Sequence, residues 1–224
     1  AMGLRASSGG QRGRLLATLT WPYVRRASQR RVAEVSADLF VSFHPLLIAP
    51  TLKALGHDRP PFFAVVTDLV TGHSLWYHHR LDLCFLPTEE AEHRARVNGM
   101  KPEQLRIVGL PVAERFCQPP GDRARLRADL GWPQDRPMVL AVGGGEGMGP
   151  LFETACAIAR SGVKAGLAIV TGRNASLRRR LEQVEWEIPT WVYGFEQRMP
   201  QMMQAATLLV TKAGPSTIAE AANA

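Results

Sequence analysis

Met138-Val-Leu-Ala-Val-Gly-Gly-Gly-Glu-Gly-Met-Gly-Pro150 decides the fold of this chain. Five apolar residues read as a buried strand, and five glycines follow it within seven positions. Pro150 then stands where a helix would begin, the place at which a missing N–H costs least. Glycines at such a point let the backbone turn sharply and approach a ligand closely, and the helix N-terminus behind them favours a phosphate. A tight strand–helix turn without ligand is the plainer alternative, but five glycines exceed what a turn is expected to need. The ligand class is narrowed by what is missing. No Lys-Ser or Lys-Thr follows the glycines, so the Walker pattern fails. The dinucleotide fingerprint fails as well, because Gly145-Glu146-Gly147 is followed by Met148, Gly149 and Pro150. The acidic ribose ligand of that fingerprint, expected about 20 residues on, has no counterpart before Gly172-Arg173-Asn174.

A second segment repeats the logic. Leu208-Leu-Val-Thr-Lys-Ala-Gly-Pro-Ser-Thr-Ile218 is a strand, then Gly214, then Pro215 at a helix start, with the hydroxyls of Ser216 and Thr217 in the first turn. Two such helix starts at the carboxyl edge of one sheet can face a shared crevice and hold a diphosphate. Around them, strands are expected at Met138–Val142, Gly166–Val170, Thr190–Tyr193 and Leu208–Thr211. Helices are expected at Leu151–Arg160, Leu177–Val184, Met199–Ala206 and from Ser216 onward. The methionines at 199, 202 and 203 fall at helical spacing and read as core.

Upstream, Pro111 to Pro137 holds five prolines around one short charged helix, Arg123–Leu130, and reads as a linker. Before it runs a second alternating series. Leu39–Phe43, Phe62–Val66, Leu83–Leu86 and Leu105–Val108 are expected as strands, Pro45–Leu55 and Thr88–Asn98 as helices. Strand–helix alternation of this kind gives parallel sheets with helices on their faces. The fold class is therefore α/β. The expected domains are 1–112, a linker over 113–136, and 137–224, with both outer parts expected to be truncated.

Composition adds bounds. The 224 residues are 46% hydrophobic and 21% charged, enough apolar mass for a core. Three scattered cysteines form no CxxC pair, so neither a zinc ribbon nor a disulfide framework is supported, and free thiols in a reducing cytoplasm are expected. No apolar run approaches the roughly 20 residues needed to cross a bilayer, and arginines interrupt every apolar stretch near the N-terminus that a signal peptide would need. The net charge is +7, and residues 1–37 hold seven arginines (Arg5, Arg12, Arg14, Arg25, Arg26, Arg30, Arg31) against Glu34 alone. Leu15, Leu16, Leu19, Trp21 and Tyr23 are interleaved with them. That mixture suits an anionic lipid surface, with a solvated helix face as the alternative. No nucleic-acid-binding motif accompanies the charge, and no nucleic-acid partner is expected.

Thr67-Asp-Leu-Val-Thr-Gly-His-Ser-Leu-Trp-Tyr-His-His79 follows a buried strand and concentrates a carboxylate, three histidines and two aromatics. Asp68 and His73 are candidates for a general base. Metal binding through Asp68, His73 and His78 matches no recurring ligand spacing, and no metal is expected. A loop whose polar groups are simply satisfied is the bland reading, and His44 beside Pro45 is ambiguous in the same way.

Taken together, GGGEGMGP (Gly143–Pro150), GRN (Gly172–Asn174), YGF (Tyr193–Phe195) and KAGPSTIAEA (Lys212–Ala221) resemble the monogalactosyldiacylglycerol synthases. SFHPL (Ser42–Leu46), VVTDLVTGHSLWYH (Val65–His78) and IVGLPV (Ile107–Val112) match the same family in the same order. More distantly the chain is similar to bacterial diacylglycerol glucosyltransferases and to the lipid II N-acetylglucosamine transferase. The resemblance implies a GT-B fold, two Rossmann-like lobes with parallel sheets, and transfer of galactose or glucose from UDP-galactose or UDP-glucose to diacylglycerol. It implies that Gly143, Gly144, Gly145, Glu146, Gly147 and Met148 line the sugar-diphosphate pocket, with Gly172, Arg173 and Asn174 beside it. Gly194 and Phe195 would meet uracil. Lys212, Gly214, Pro215, Ser216, Thr217 and Glu220 would complete the donor side, with Gly214–Thr217 on phosphate. His44, Asp68, His73 and Trp76 would stand on the acceptor side. No cofactor beyond the donor is implied, and the place of action would be the cytoplasmic face of a membrane, peripherally. The family's catalytic histidine loop and its sugar-gripping acidic loop are not found in these residues. A same-fold transferase with a lipid II-type acceptor, or a non-catalytic nucleotide-binding remnant, are the competing expectations.

Overall fold

The computed structural model describes residues 21–70 and 72–224. The chain divides into two compact units between Pro111 and Val112. The expectations resting on Arg5, Arg12, Arg14, Leu15, Leu16 and Leu19 lie outside the described residues.

In the first unit, helix α1 covers residues 21–33. Four parallel strands follow, β1 (Phe40–Ser42), β2 (Phe62–Val65), β3 (Leu83–Leu86) and β4 (Leu105–Ile107), in the order β1-β2-β3-β4. Helices α2 (Pro45–Leu55) and α3 (Glu89–Val97) lie between them. One core forms where Ile48 and Leu52 of α2 and Ala91 and Ala95 of α3 meet Phe62, Ala64, Cys84, Leu86 and Leu105. Burial alternates along β2 and β3, so these strands are half-covered on their second face, where Phe63 and Phe85 meet edge to face at 5.9 Å. The expectation of buried strands is met on one face, the face that the helices of this core cover among the described residues. Trp21 is half-buried under the Lys53 ammonium at 5.5 Å, while Tyr23, Arg25 and Arg26 are exposed. Arg30 and Arg31 both pair with Glu34, at 2.8 and 3.2 Å.

In the second unit, α4 (Arg123–Leu130) leads into β5 (Met138–Val142), α5 (Leu151–Arg160), β6 (Gly166–Val170), α6 (Ala175–Glu182), β7 (Thr190–Tyr193), α7 (Met199–Ala205), β8 (Leu208–Thr211) and α8 (Pro215–Asn223). The sheet is parallel, in the order β7-β6-β5-β8. Every residue of β5 and β6 is buried, as expected for central strands covered on both faces. Met138, Leu140 and Val142 face Met202 and Ala205 of α7 and Leu130 and Trp132. Val139 and Ala141 face Leu151 and Ala155 of α5 and Leu177 and Leu181 of α6. The period of two along β5 thus builds two cores from one strand.

The proline-rich stretch expected as a linker is packed into this unit. Leu130 and Trp132 are core residues, and the Trp132 indole N–H donates to the Tyr193 hydroxyl at 2.9 Å. Arg127 is 7% exposed. Its guanidinium donates to the carbonyls of Ala205 (3.0 Å) and Arg136 (3.1 Å) and to the Thr207 hydroxyl (3.0 Å), tying α4 to the α7–β8 connection. Prolines signal irregular backbone; they do not signal absence of packing. Helix α6 begins at Ala175, before the expected Leu177, because Asn174 caps it. Helix α5 spans Leu151–Arg160 as expected, with Pro150 as its N-cap. Replacing Arg127 by Ala removes several charge-assisted bonds from a dry site. It should destabilise the second unit by at least about 2 kcal/mol in urea unfolding.

Candidate functional site

Because all strands of the second sheet are parallel, the turns that follow them emerge at one edge. Those turns carry the four motifs: residues 143–150 after β5, 171–174 after β6, 194–195 after β7 and 212–214 after β8. The chain winds outward from β5 to β6 and β7, then returns to place β8 on the other side of β5. The reversal between β5 and β8 is a topological switch point, where open α/β sheets take their ligands.

The glycine turn is held by its own backbone. Gly147 N–H donates to Gly144 O at 3.0 Å, and Met148 N–H to Gly143 O at 2.9 Å. A side chain on Gly147 (φ +58°) would run into the Thr171 carbonyl, and a Cβ on Gly143 would come within 2.9 Å of the Gly147 Cα. Gly144 and Gly149 have φ of +73° and +91°. Gly172, at φ +59°, lies so close to the carbonyls of Gly144 and Gly145 that any Cβ would collide with them. Four of the five glycines are therefore demanded by the turn, which corrects the expectation that a turn needs fewer. Gly145 is the exception. It is exposed, has no positive φ, and a Cβ there would meet nothing closer than Arg173 Nη1 at 3.6 Å. The fold leaves that one glycine unexplained.

Arg173 joins three of the four turns. Its N–H donates to Gly145 O at 2.8 Å, its guanidinium pairs with Glu146 at 2.5 Å, and it lies over the exposed Phe195 ring at 4.8 Å. An exposed pair of this kind contributes little stability, so its weight is geometric. Asn174 accepts the Leu177 N–H at 2.9 Å, capping α6, and its amide reaches Gly147 O at 3.4 Å. Sequence spacing showed neither contact. Gly194 packs beside Arg178, and Met148 is 61% exposed at the rim. Gly214 is the N-cap of α8 with no side-chain cap, followed by Pro215, exposed Ser216 and half-buried Thr217. Glu220 is half-buried one turn further on. Burial raises its carboxyl above the ordinary value, with Arg115 pulling the other way.

In the first unit the residues expected on the acceptor side also follow strand ends. His44 Nδ1 accepts the Leu46 N–H at 3.3 Å and caps α2. His73 Nδ1 accepts the Leu75 N–H at 3.1 Å at the start of a single 3₁₀ turn. The buried Trp76 indole donates to Asp68 Oδ2 at 2.7 Å. Each ring thus accepts a backbone N–H two residues ahead and holds the start of the turn that follows. Asp68 spends one oxygen anchoring Trp76. Sequence reading missed Tyr77, whose buried hydroxyl has no partner among the described residues. Burial, then the neighbouring Cys84, pushes that hydroxyl up to about 12. Among the described residues no three His, Cys, Asp or Glu side chains gather as a metal site.

These placements separate the glycines by role. Gly147→Ala and Gly172→Ala should each cost at least about 1–3 kcal/mol of stability from the left-handed backbone alone. Gly145→Ala should stay within about 0.5 kcal/mol of the parent. Equal losses in urea titrations of all three variants would refute the distinction.

Residues 4–112 match the family Monogalactosyldiacylglycerol (MGDG) synthase, and residues 138–224 match the Glycosyltransferase family 28 C-terminal domain. The chain is 38% identical over 220 residues to the probable monogalactosyldiacylglycerol synthase 2, chloroplastic, of Oryza sativa subsp. indica, covering 93% of this chain and 47% of that protein. It is 36% identical over 213 residues to monogalactosyldiacylglycerol synthase 1, chloroplastic, of Arabidopsis thaliana, covering 90% and 40%. The chain thus spans less than half the length of these relatives. In solved structures its fold is similar to MurG of Acinetobacter baumannii (TM-score 0.56, 17% identity, 89% of this chain and 53% of that one). It is also similar to sucrose-phosphate synthase of Thermosynechococcus elongatus (TM-score 0.54, 17% identity, 85% and 54%). The fold is that of the GT-B glycosyltransferases, and the chain belongs to the monogalactosyldiacylglycerol synthase family.

Proposed function

We propose that a protein carrying this chain transfers a hexose, galactose or glucose, from a UDP-sugar to diacylglycerol in glycolipid synthesis. The observation that carries the reading is the convergence of four family motifs on the switch-point edge of one parallel sheet. In this reading Gly194 and Phe195 meet the uracil, and the exposed Gly145 backbone approaches the sugar diphosphate. Pro215, Ser216 and Thr217 open a helix whose unpaired N–H groups and positive dipole end favour phosphate. Glu220 completes the donor side. His44, Asp68, His73 and Trp76 shape the acceptor side, with their polar groups holding the loops that carry them.

The membrane part of the proposal rests on α1. Arg25 and Arg26 are exposed and, among the described residues, without an ion pair, and the Tyr23 ring is 88% exposed nearby. Cations with an exposed aromatic suit an anionic lipid surface, each cation adding about 1 kcal/mol. No helix among the described residues is long and apolar enough to cross a membrane. Peripheral attachment is proposed, at the cytoplasmic face. Oriented backbone dipoles can balance a departing diphosphate, so the reaction is proposed to need no cofactor beyond the donor.

Labelled UDP-galactose and UDP-glucose supplied with anionic vesicles containing diacylglycerol should give a labelled monohexosyl lipid, separable by thin-layer chromatography. Label appearing only in another lipid acceptor would overturn the diacylglycerol assignment. Excess chelator should leave the rate unchanged. Gly145→Trp should weaken UDP binding at least about tenfold while the protein stays folded, one lost close contact of about 1.4 kcal/mol. Unchanged UDP affinity would overturn the donor site.

A further inference from the structure

Strands β5 and β8 are neighbours in register, Val142 opposite Thr211, so the chain leaves both at the same level. The first residue after β8 is Lys212, and it is exposed. Its stem lies along the glycine turn: a Cβ on Gly144 would sit 3.3 Å from Lys212 Cε and 3.7 Å from Nζ. The ammonium is thereby set across the switch point, between the turn that follows β5 and the turn that opens α8. Several carboxylates in these turns and in α6 are already matched. Glu146 pairs with Arg173, Glu196 with Arg198, and Glu182 with Arg178. Lys212 has no such pair among the described residues.

From this geometry we infer that Lys212 is the diphosphate-recognition residue of the site, placing its ammonium on the terminal phosphate of the bound nucleoside diphosphate. The inference rests on the donor-site reading above. It adds a specific source of charge to a site whose other contribution is backbone. A compact ammonium suits phosphate as a point charge, and a charge-assisted contact of this type is about twice as strong as a neutral one. It also gives Gly144 a second reason to lack a side chain, since any Cβ there would press on the lysine stem.

The test compares the full chain with Lys212→Met, which keeps the stem, and Lys212→Arg, which keeps the charge. Titration calorimetry with UDP, UMP and uridine at fixed salt separates the terminal phosphate from the rest. Lys212→Met should weaken UDP about tenfold or more, UMP less, and uridine not at all, and should flatten the salt dependence of UDP binding. Lys212→Arg should stay within about threefold of the parent for UDP. If Lys212→Met binds UDP as the parent does, or loses uridine to the same extent as UDP, the inference is overturned while the donor site stands. If the parent protein binds neither UDP nor uridine, both the inference and the donor-site reading fall. Lys212 is exposed, so the variants should match the parent in thermal unfolding.

Discussion

The second unit is organised around one steric constraint, the close approach of two backbone turns. The carbonyls of Gly144 and Gly145 press on Gly172, and the Thr171 carbonyl presses on Gly147. No side chain larger than hydrogen fits at either contact. With the turns so close, Arg173 reaches Gly145 O and Glu146, Asn174 reaches Gly147 O, and Phe195 receives the Arg173 guanidinium. Moving either turn by an ångström would dismantle all of these. The candidate site is therefore a rigid assembly built from backbone, and its side chains are positioned by it.

Much of the fold was legible because it rests on short-range signals. Met138–Val142, Leu151–Arg160, Gly166–Val170 and Leu208–Thr211 fall where their apolar runs and glycine stops put them. Long-range packing was harder. Arg127 looks like any surface arginine in a charged helix, and only the arrival of Ala205 and Thr207 some 80 residues on makes it a buried tie. The half-covered sheet of the first unit was less legible for a related reason. A run such as Phe62-Phe63-Ala64-Val65 is apolar on both faces, and nothing local says which face the helices of the core cover.

The candidate site shows the same division. Which loops gather could be read from strand–helix alternation and glycine–proline punctuation. What each residue does there could not. The glycine-rich turn looked like a ligand signature in full, whereas most of its glycines answer to left-handed backbone and neighbouring carbonyls, and the ligand argument narrows to Gly145. His73 read as a candidate base and His44 as an acceptor-side residue; each also caps a turn, through Nδ1 and the backbone amide two residues ahead. Such short Asx-like caps are invisible in composition and become visible only as distances.

Asn174 carries a last consequence. One side chain both closes the first turn of α6 and holds the carbonyl of Gly147, so the helix start and the glycine turn share a single mechanical joint. Neither can loosen without the other. The backbone amide of Leu177, some distance from where a nucleotide would sit, should therefore exchange its proton with solvent at a rate governed by that joint, which makes it a remote sensor of the turn.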